Sequence, residues 1–404
     1  MYGFRLLRNR QVQFAVLVVL ALVALGFRAF QFTVLTGQIQ WGYDFSAYWA
    51  AAGRLLDGLS PYQPHQLEGL YSPQQQFLYL YPPPLAAAIT PLRALFPDAY
   101  RAAAWIWTGV GAAILLAAVL AIGRVERLGD RYPLLAGRGR WLLVVAPFAF
   151  PPVVGELVLG NVHLVLLGLL TLAWLGVRRG DSRGAWIAGV AVGIAAVVKV
   201  FPGLLLLWFL LTRRYRAAAG VLVGAGVAAL VALPLTGIEP WLQYPTVLAN
   251  LGPPVDTRDT LAPTVWLSGF LEFGVARAVV TVLGIAIVAW STSIAARRAA
   301  NVDARSFAIA VTISVLIAPA LYHHYLALLV LPLLLGLASG ASLRWLALAY
   351  FLMWGGNQPG LGDLAWVVNR ALPTAGALAL LAGLLVVPAR TSSLPRGAQA
   401  RAPG

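Results

Sequence analysis

Apolar runs alternate along this chain with short arginine-bearing segments, and several runs exceed the ~18–20 residues that cross a bilayer as a helix. The first, Phe14 to Phe27, follows Arg5, Arg8 and Arg10 and has no small-residue cleavage site, so it reads as a retained first helix. Another spans 102–122. Later runs are interrupted where they should be continuous. Pro147 and Pro151-Pro152 break the stretch between Arg140 and Arg178, and Lys199-Val-Phe-Pro202-Gly203 breaks the stretch between Arg183 and Arg213. Pro319 and the sequence Tyr322-His-His-Tyr325 break the stretch between Arg305 and Arg344. A helix over 185–198 would rise only ~21 Å at 1.5 Å per residue, short of the ~30 Å hydrocarbon core. Residues 185–212 therefore predict either one broken span or two short helices meeting inside the membrane, and the basic flanks favour the second. Proline-rich 82–96 is open between a full span and a re-entrant element.

A different pattern appears at 41–62. Apolar residues at 45, 48, 49, 52, 55 and 56 follow helical spacing, and Gly58 is placed to end the helix. Short and aromatic-rich, it predicts an amphipathic juxtamembrane helix. Asp44 stands before its first turn, where a carboxylate serves as an N-cap and where a helix N-terminus also keeps it ionised.

Composition fixes the class. Of 404 residues, 60% are hydrophobic and 11% charged, where soluble domains carry about 25% charge. The fold class is all-α, a polytopic helical membrane bundle with about 10–13 membrane helices, several short or broken. Residues 1–390 read as a single transmembrane domain with outer loops at about 37–80 and 237–273; residues 391–404 read as a disordered cytoplasmic tail. The net charge of +15 would suggest nucleic acid in a soluble protein. Here the arginines cluster at 5–10, 124–140, 178–183, 213–216 and 297–305, then at Arg344, Arg390, Arg396 and Arg401, as cytoplasmic flanks of membrane helices do. The expected partner is a lipid bilayer and no nucleic acid, with a multi-pass location in the cell membrane and both termini cytoplasmic. The chain has no cysteine, which removes thiol nucleophiles and thiolate metal sites.

Among the 29 basic residues only Lys199 is a lysine, and it lies within a membrane segment. An ammonium there costs roughly 2.5–3.5 kcal/mol on insertion scales, which points to a function or to a partner. It could instead snorkel to an interface or pair with Glu156. Under the arginine topology, Glu156, Asn161, His163, Lys199, His323 and His324 all approach one membrane face, the face on which loop 37–80 opens. Irregular backbone at that depth is tolerated where it lines a cavity. Adjacent helical residues point about 100° apart, so at most one of His323 and His324 faces such a cavity.

The order Asp44-Phe45-x-x-Tyr48, Gly58-x-x-Pro61-Tyr62, Tyr81-Pro82-Pro83, Pro91-Leu92, Gly160-Asn161-x-His163, Gly189-x-x-x-Gly193, Lys199-x-x-Pro202 and Tyr322-His-His-Tyr325 resembles glycosyltransferase family 87. These are polyprenyl-phosphate-mannose-dependent mannosyltransferases of the GT-C fold. The likeness spans about 40–330 and rests on the order of motifs rather than on any one. Where the family commonly has Gly-Gln-x-Asn, this chain has Gly160-Asn161-Val162-His163.

The resemblance implies an inverting transfer of a hexose, mannose first, from a polyprenyl-phosphate sugar to a lipid or glycan acceptor on the outer face. It assigns Asp44 as general base. Lys199, with His323 or His324, suits the donor phosphate, because charge develops on the leaving group. Tyr48, Tyr62, Glu156, Asn161, His163 and Arg258 are candidate lining residues. No cofactor and no metal are expected, since neither a phosphate loop nor a paired-aspartate motif is present. The competing reading is a transporter or lipid flippase, which also uses broken helices and midplane charges; the absence of an internal repeat and the acid in the first outer loop weigh against it.

Overall fold

The computed structural model describes residues 10–37, 41–72, 77–252, 260–296, 302–356 and 364–386. Helices of eight residues or more are numbered here in chain order. They are α1 (Arg10–Thr36), α2 (Tyr43–Leu56), α3 (Pro83–Leu95), α4 (Tyr100–Val125), α5 (Trp141–Phe148), α6 (Pro151–Leu159), α7 (His163–Arg179) and α8 (Ser182–Val198). After them come α9 (Leu204–Leu211), α10 (Tyr215–Thr236), α11 (Glu239–Ala249), α12 (Phe273–Ala296), α13 (Val302–Leu316), α14 (Val330–Ala338), α15 (Leu343–Leu352) and α16 (Leu372–Leu385). Among the described residues, extended pairing is confined to two isolated bridges, Tyr71 with Leu251 and Thr260 with Tyr322. The chain is an all-α, polytopic membrane protein.

Among the described residues, five helices are long and apolar enough to span: Gln11–Thr36, Tyr100–Val125, Tyr215–Thr236, Phe273–Ile294 and Val367–Leu385. Gly137–Phe148 and Pro151–Leu159, bent by 59°, make a sixth if they are one broken span. Shorter apolar helices cover Ser182–Val198, Phe201–Leu211, His323–Ala338 and Leu343–Leu352. The stretch between Arg183 and Arg213 is thus two short helices. Asp181 starts α8 by accepting the Gly184 N–H at 2.6 Å, and the helix stops at Lys199, whose backbone is extended. The proline-rich stretch is a single 13-residue helix, α3, whose rise of ~20 Å is too short to cross.

Glycines set the closest helix approach. A Cβ on Gly189 or Gly193 of α8 would collide with the carbonyl oxygens of Ala217 and Val221 on α10. The Gly-x-x-x-Gly spacing therefore serves helix packing, as it does in membrane bundles generally. Arg28, buried inside α1, donates through Nε to the Ala149 carbonyl at 3.3 Å and through Nη1 to Gln31 Oε1 at 2.6 Å. It ties α1 to the break between α5 and α6.

The helix of the first large loop is more enclosed than an interfacial helix. Phe45, Tyr48, Ala51 and Ala52 of α2 are buried on faces that pack against α3 and α6. Its N-cap is Gly42 in the left-handed region (φ 69°), so Asp44 is in the first turn rather than the capping position. The two large loops then close on each other. Ser60 Oγ donates to Gln243 Oε1 at 2.6 Å, Tyr71 Oη to the Val247 carbonyl at 2.6 Å, and Asn250 Nδ2 to the Gln66 carbonyl at 3.0 Å. The tail expected over 391–404 lies outside the described residues.

Candidate active site

Two left-handed glycines bring the site together. Gly42 N–H donates to the Val158 carbonyl at 2.7 Å, and Tyr100 Oη donates to the Gly42 carbonyl at 2.6 Å. Gly160 ends α6 at φ 68°, and a Cβ there would stand 2.9 Å from the Phe45 Cβ. Only glycine allows both that backbone conformation and that approach without strain. Trp107 Nε1 fixes the turn by donating to the Gly160 carbonyl at 2.9 Å. The outcome is that Asn161, just after α6, faces Asp44 on α2.

Asn161 is held in one orientation. Its Oδ1 accepts from Tyr48 Oη at 3.0 Å, Tyr81 Oη at 3.3 Å and its neighbour Val162 N–H at 2.7 Å. Its Nδ2 donates to Asp44 Oδ2 at 2.8 Å and lies 3.2 Å from His324 Nε2. His324 Nε2 is itself 3.3 Å from Asp44 Oδ2. Asp44, Tyr48, Tyr81, Asn161 and His324 line an open cleft together with Tyr43, Phe77, Leu80, Tyr322 and Tyr325. Asp44, outside the spans, is the only carboxylate lining the cleft among the described residues. Its side chain keeps 22% of its surface open to the cleft, yet the dense surroundings strip enough water to push its pKa up to about 6. The Asn161 hydrogen bond and the Lys199 charge pull the other way without cancelling that burial.

A second cluster lies behind Tyr81 and Tyr325. Glu156 Oε1 accepts the His163 backbone N–H at 2.5 Å, and Oε2 lies 2.9 Å from His163 Nδ1. Lys199 Nζ stands 2.9 Å from His163 Nε2. The ammonium is 3.7 Å from the centre of the Tyr325 ring and 5.0 Å from that of Tyr81, positions of cation–π attraction. Glu156 and His163 are buried; Lys199 is half-buried.

The sequence candidates thus divide. Asp44, Tyr48, Asn161 and His324 line the cleft. Glu156, His163 and Lys199 form the cluster behind its wall rather than the wall itself. Tyr62 is buried outside it, its Oη donating to the Tyr81 carbonyl at 2.9 Å, so it braces a lining residue. His323 turns away: its Nε2 lies 3.0 Å from the Met353 carbonyl oxygen and its ring fills the space beside Gly356. Arg258 lies outside the described residues. Tyr81 and Tyr325, which the sequence offers only within motifs, form the partition between the clusters. The tyrosine flanking each Pro-Pro or His-His pair was the available signal.

Glu156, His163 and His324 lie close enough for their ligand atoms to fall within 4.8 Å of one another, a spacing that metal sites share. In the structure Glu156 engages one imidazole nitrogen of His163 and Lys199 Nζ the other, so a metal ligated there would displace Lys199 from Nε2.

Comparison with known proteins gives the class of chemistry. Residues 79–319 match glycosyltransferase family 87. The chain is 28% identical over 254 residues to the polyprenol-phosphate-mannose-dependent alpha-(1-2)-phosphatidylinositol mannoside mannosyltransferase of Mycobacterium tuberculosis, covering 58% of this chain and 54% of that protein. It is 30% identical over 159 residues to an alpha-(1->3)-arabinofuranosyltransferase of the same organism, covering 39% of this chain and 34% of that protein. The matches span about half or less of these relatives' length. Tyr81, Glu156, Asn161, His163 and Lys199 fall within the matched family region, whereas Asp44, His323 and His324 fall outside it. The family match covers more than half of the chain, and the chain belongs to glycosyltransferase family 87.

Proposed function

We propose that this member of glycosyltransferase family 87 moves a sugar from a polyprenyl-phosphate donor to a hydroxyl of a lipid or glycan acceptor. Asp44 acts as general base, and Lys199 with His324 meets the donor phosphate. The observation that carries the reading is a lone lining carboxylate, poised near neutrality, with a cation on the far side of Tyr325. An in-line displacement needs that relation between attacking hydroxyl and leaving phosphate.

The acceptor oxygen bonds to the anomeric carbon as the bond from that carbon to the phosphate oxygen breaks. The electron pair stays on the phosphate, whose charge grows near Lys199. The hydroxyl proton passes to Asp44, a step of the kind that contributes roughly 10²–10⁴-fold. The configuration at the anomeric carbon inverts. Mannose is the first donor sugar to test, because the mannosyltransferase match covers the larger share of this chain. The site opens on the outer face of the cell membrane in this reading. Tyr100 of α4 touches Gly42 beside the cleft, and Arg124 stands ~36 Å along the same helix, where a basic cytoplasmic flank belongs.

Membranes carrying the protein, supplied with a lipid acceptor and radiolabelled polyprenyl-phosphate mannose, should form a new labelled glycolipid. A parallel arm with polyprenyl-phosphate arabinofuranose assigns the sugar. Movement of either donor across sealed vesicles without a new glycosidic bond would replace the transferase with a transporter.

A further inference from the structure

The mechanism above uses Lys199 and leaves two buried groups, Glu156 and His163, without a task. Their geometry is directional. Glu156 Oε1 accepts the His163 backbone N–H, and Oε2 lies against the ring at Nδ1. With Glu156 ionised, its carboxylate only accepts, so Nδ1 carries the ring proton. Nε2 then offers a lone pair 2.9 Å from Lys199 Nζ, placed to accept an ammonium N–H. In that protonation state the hydrogen bonds run one way, from lysine to imidazole to carboxylate.

We propose that Glu156 and His163 are positioning residues, a fixed-tautomer relay that aims the Lys199 ammonium and supplies its counter-charge before any phosphate arrives. One N–H of the ammonium is fixed on His163 and its body rests on the Tyr325 ring. The remaining donors stay available on the half-buried side of the residue. The relay is neutral overall, one carboxylate against one ammonium, so the half-buried lysine does not depend on the substrate for its charge balance. When the leaving phosphate gains negative charge, the ammonium is already oriented and little reorganisation is required. The statement about phosphate rests on the proposed function; the direction of the relay does not.

Composition makes the relay unusually readable. The chain has a single lysine and four histidines, so ¹⁵N-lysine and ¹⁵N-histidine labelling in lipid nanodiscs gives one ammonium signal and four imidazoles. The wild type should show His163 as the Nδ1–H tautomer. Adding sugar-free polyprenyl phosphate should shift the Lys199 signal. In Glu156→Gln the amide NH₂ faces Nδ1, so His163 should flip to Nε2–H, turn a donor toward the ammonium, and weaken polyprenyl phosphate binding on the order of tenfold, as lost outer-sphere partners do. His163→Gln can still donate to Glu156 and accept from Lys199, so it should retain binding, whereas His163→Leu should not. The relay is overturned if Glu156→Gln keeps the Nδ1–H form, or if His163→Leu binds polyprenyl phosphate as tightly as the wild type. A wild-type Lys199 signal indifferent to polyprenyl phosphate would instead overturn the phosphate role, leaving the tautomers to decide the relay.

Discussion

The two polar clusters on either side of Tyr81 and Tyr325 contain one carboxylate each, and they treat it differently. Asp44 sits in a shared, open setting: Asn161 Nδ2 donates to Oδ2, His324 Nε2 lies 3.3 Å from the same oxygen, and part of the side chain faces the cleft. Glu156 is enclosed. Its oxygens meet the His163 backbone N–H and the His163 ring, and its side chain is 1% exposed. A group that must take up a proton needs substrate access and an affinity near working pH. A group that must remain a counter-ion needs closure and complete hydrogen bonding, because an uncompensated buried charge is costly. Under the proposed function, the same residue chemistry is split into a reactive and a supporting role by surroundings alone.

That contrast can be broken at graded cost. Removing the cation is the most severe supporting change. Lys199→Met should lower transfer roughly 10²–10³-fold, the loss typical of a missing transition-state donor. Lys199→Arg should recover little of it, because a planar fork does not fit the point contact on His163 and the ring below. Donor-dependent initial rates in membranes check both.

Gly160→Ala comes next. Forcing a Cβ to 2.9 Å from Phe45 at positive φ stores about 1–3 kcal/mol of strain and displaces Asn161 from Asp44. Transfer and thermal stability should fall together, read by melting of the purified protein beside its rate. The histidine pair then separates in a smaller experiment. His324→Gln should slow transfer while sparing stability. His323→Leu should leave transfer within a few-fold of wild type and lower stability by about 1–3 kcal/mol, the cost of an unpaired buried carbonyl at Met353.

The smallest perturbation is pH. Asp44 has its pKa raised from 3.8 to about 6, and the base form is the deprotonated one. Transfer should therefore decline as pH falls through about 6, rather than holding steady toward 4. Over the same window the folded state takes up a proton that the unfolded chain does not, so acidification favours the fold as it removes the rate. A pH–rate profile for kcat/KM, with melting followed in parallel, tests both signs.

Much of this was legible in the sequence. Apolar run lengths, proline and glycine breaks and arginine clusters announced the helical membrane class, and the lone lysine marked itself by position. The extent of α8 followed from its flanks, whereas the packing role of Gly189 and Gly193 emerged only from the structure. Side-chain pairing was not legible, because the partners are remote along the chain. Asp44 meets Asn161 117 residues on, and Lys199 meets His163 36 residues back, across separate helices. Periodicity says which face of a helix is apolar but not which neighbour it meets. The sequence allowed at most one of His323 and His324 to face the site, and the 3₁₀ turn over His323–Leu329 sends His324 toward Asn161 and His323 toward Met353.

The central claim is that the cleft carboxylate performs the proton transfer and the cluster behind it holds the donor. Asp44→Asn, compared with wild type for donor binding and for transfer in the same membranes, addresses it most directly. The account predicts polyprenyl-phosphate sugar bound within a few-fold of wild type and transfer reduced by roughly 10²–10⁴. Transfer at the wild-type rate in Asp44→Asn would contradict it.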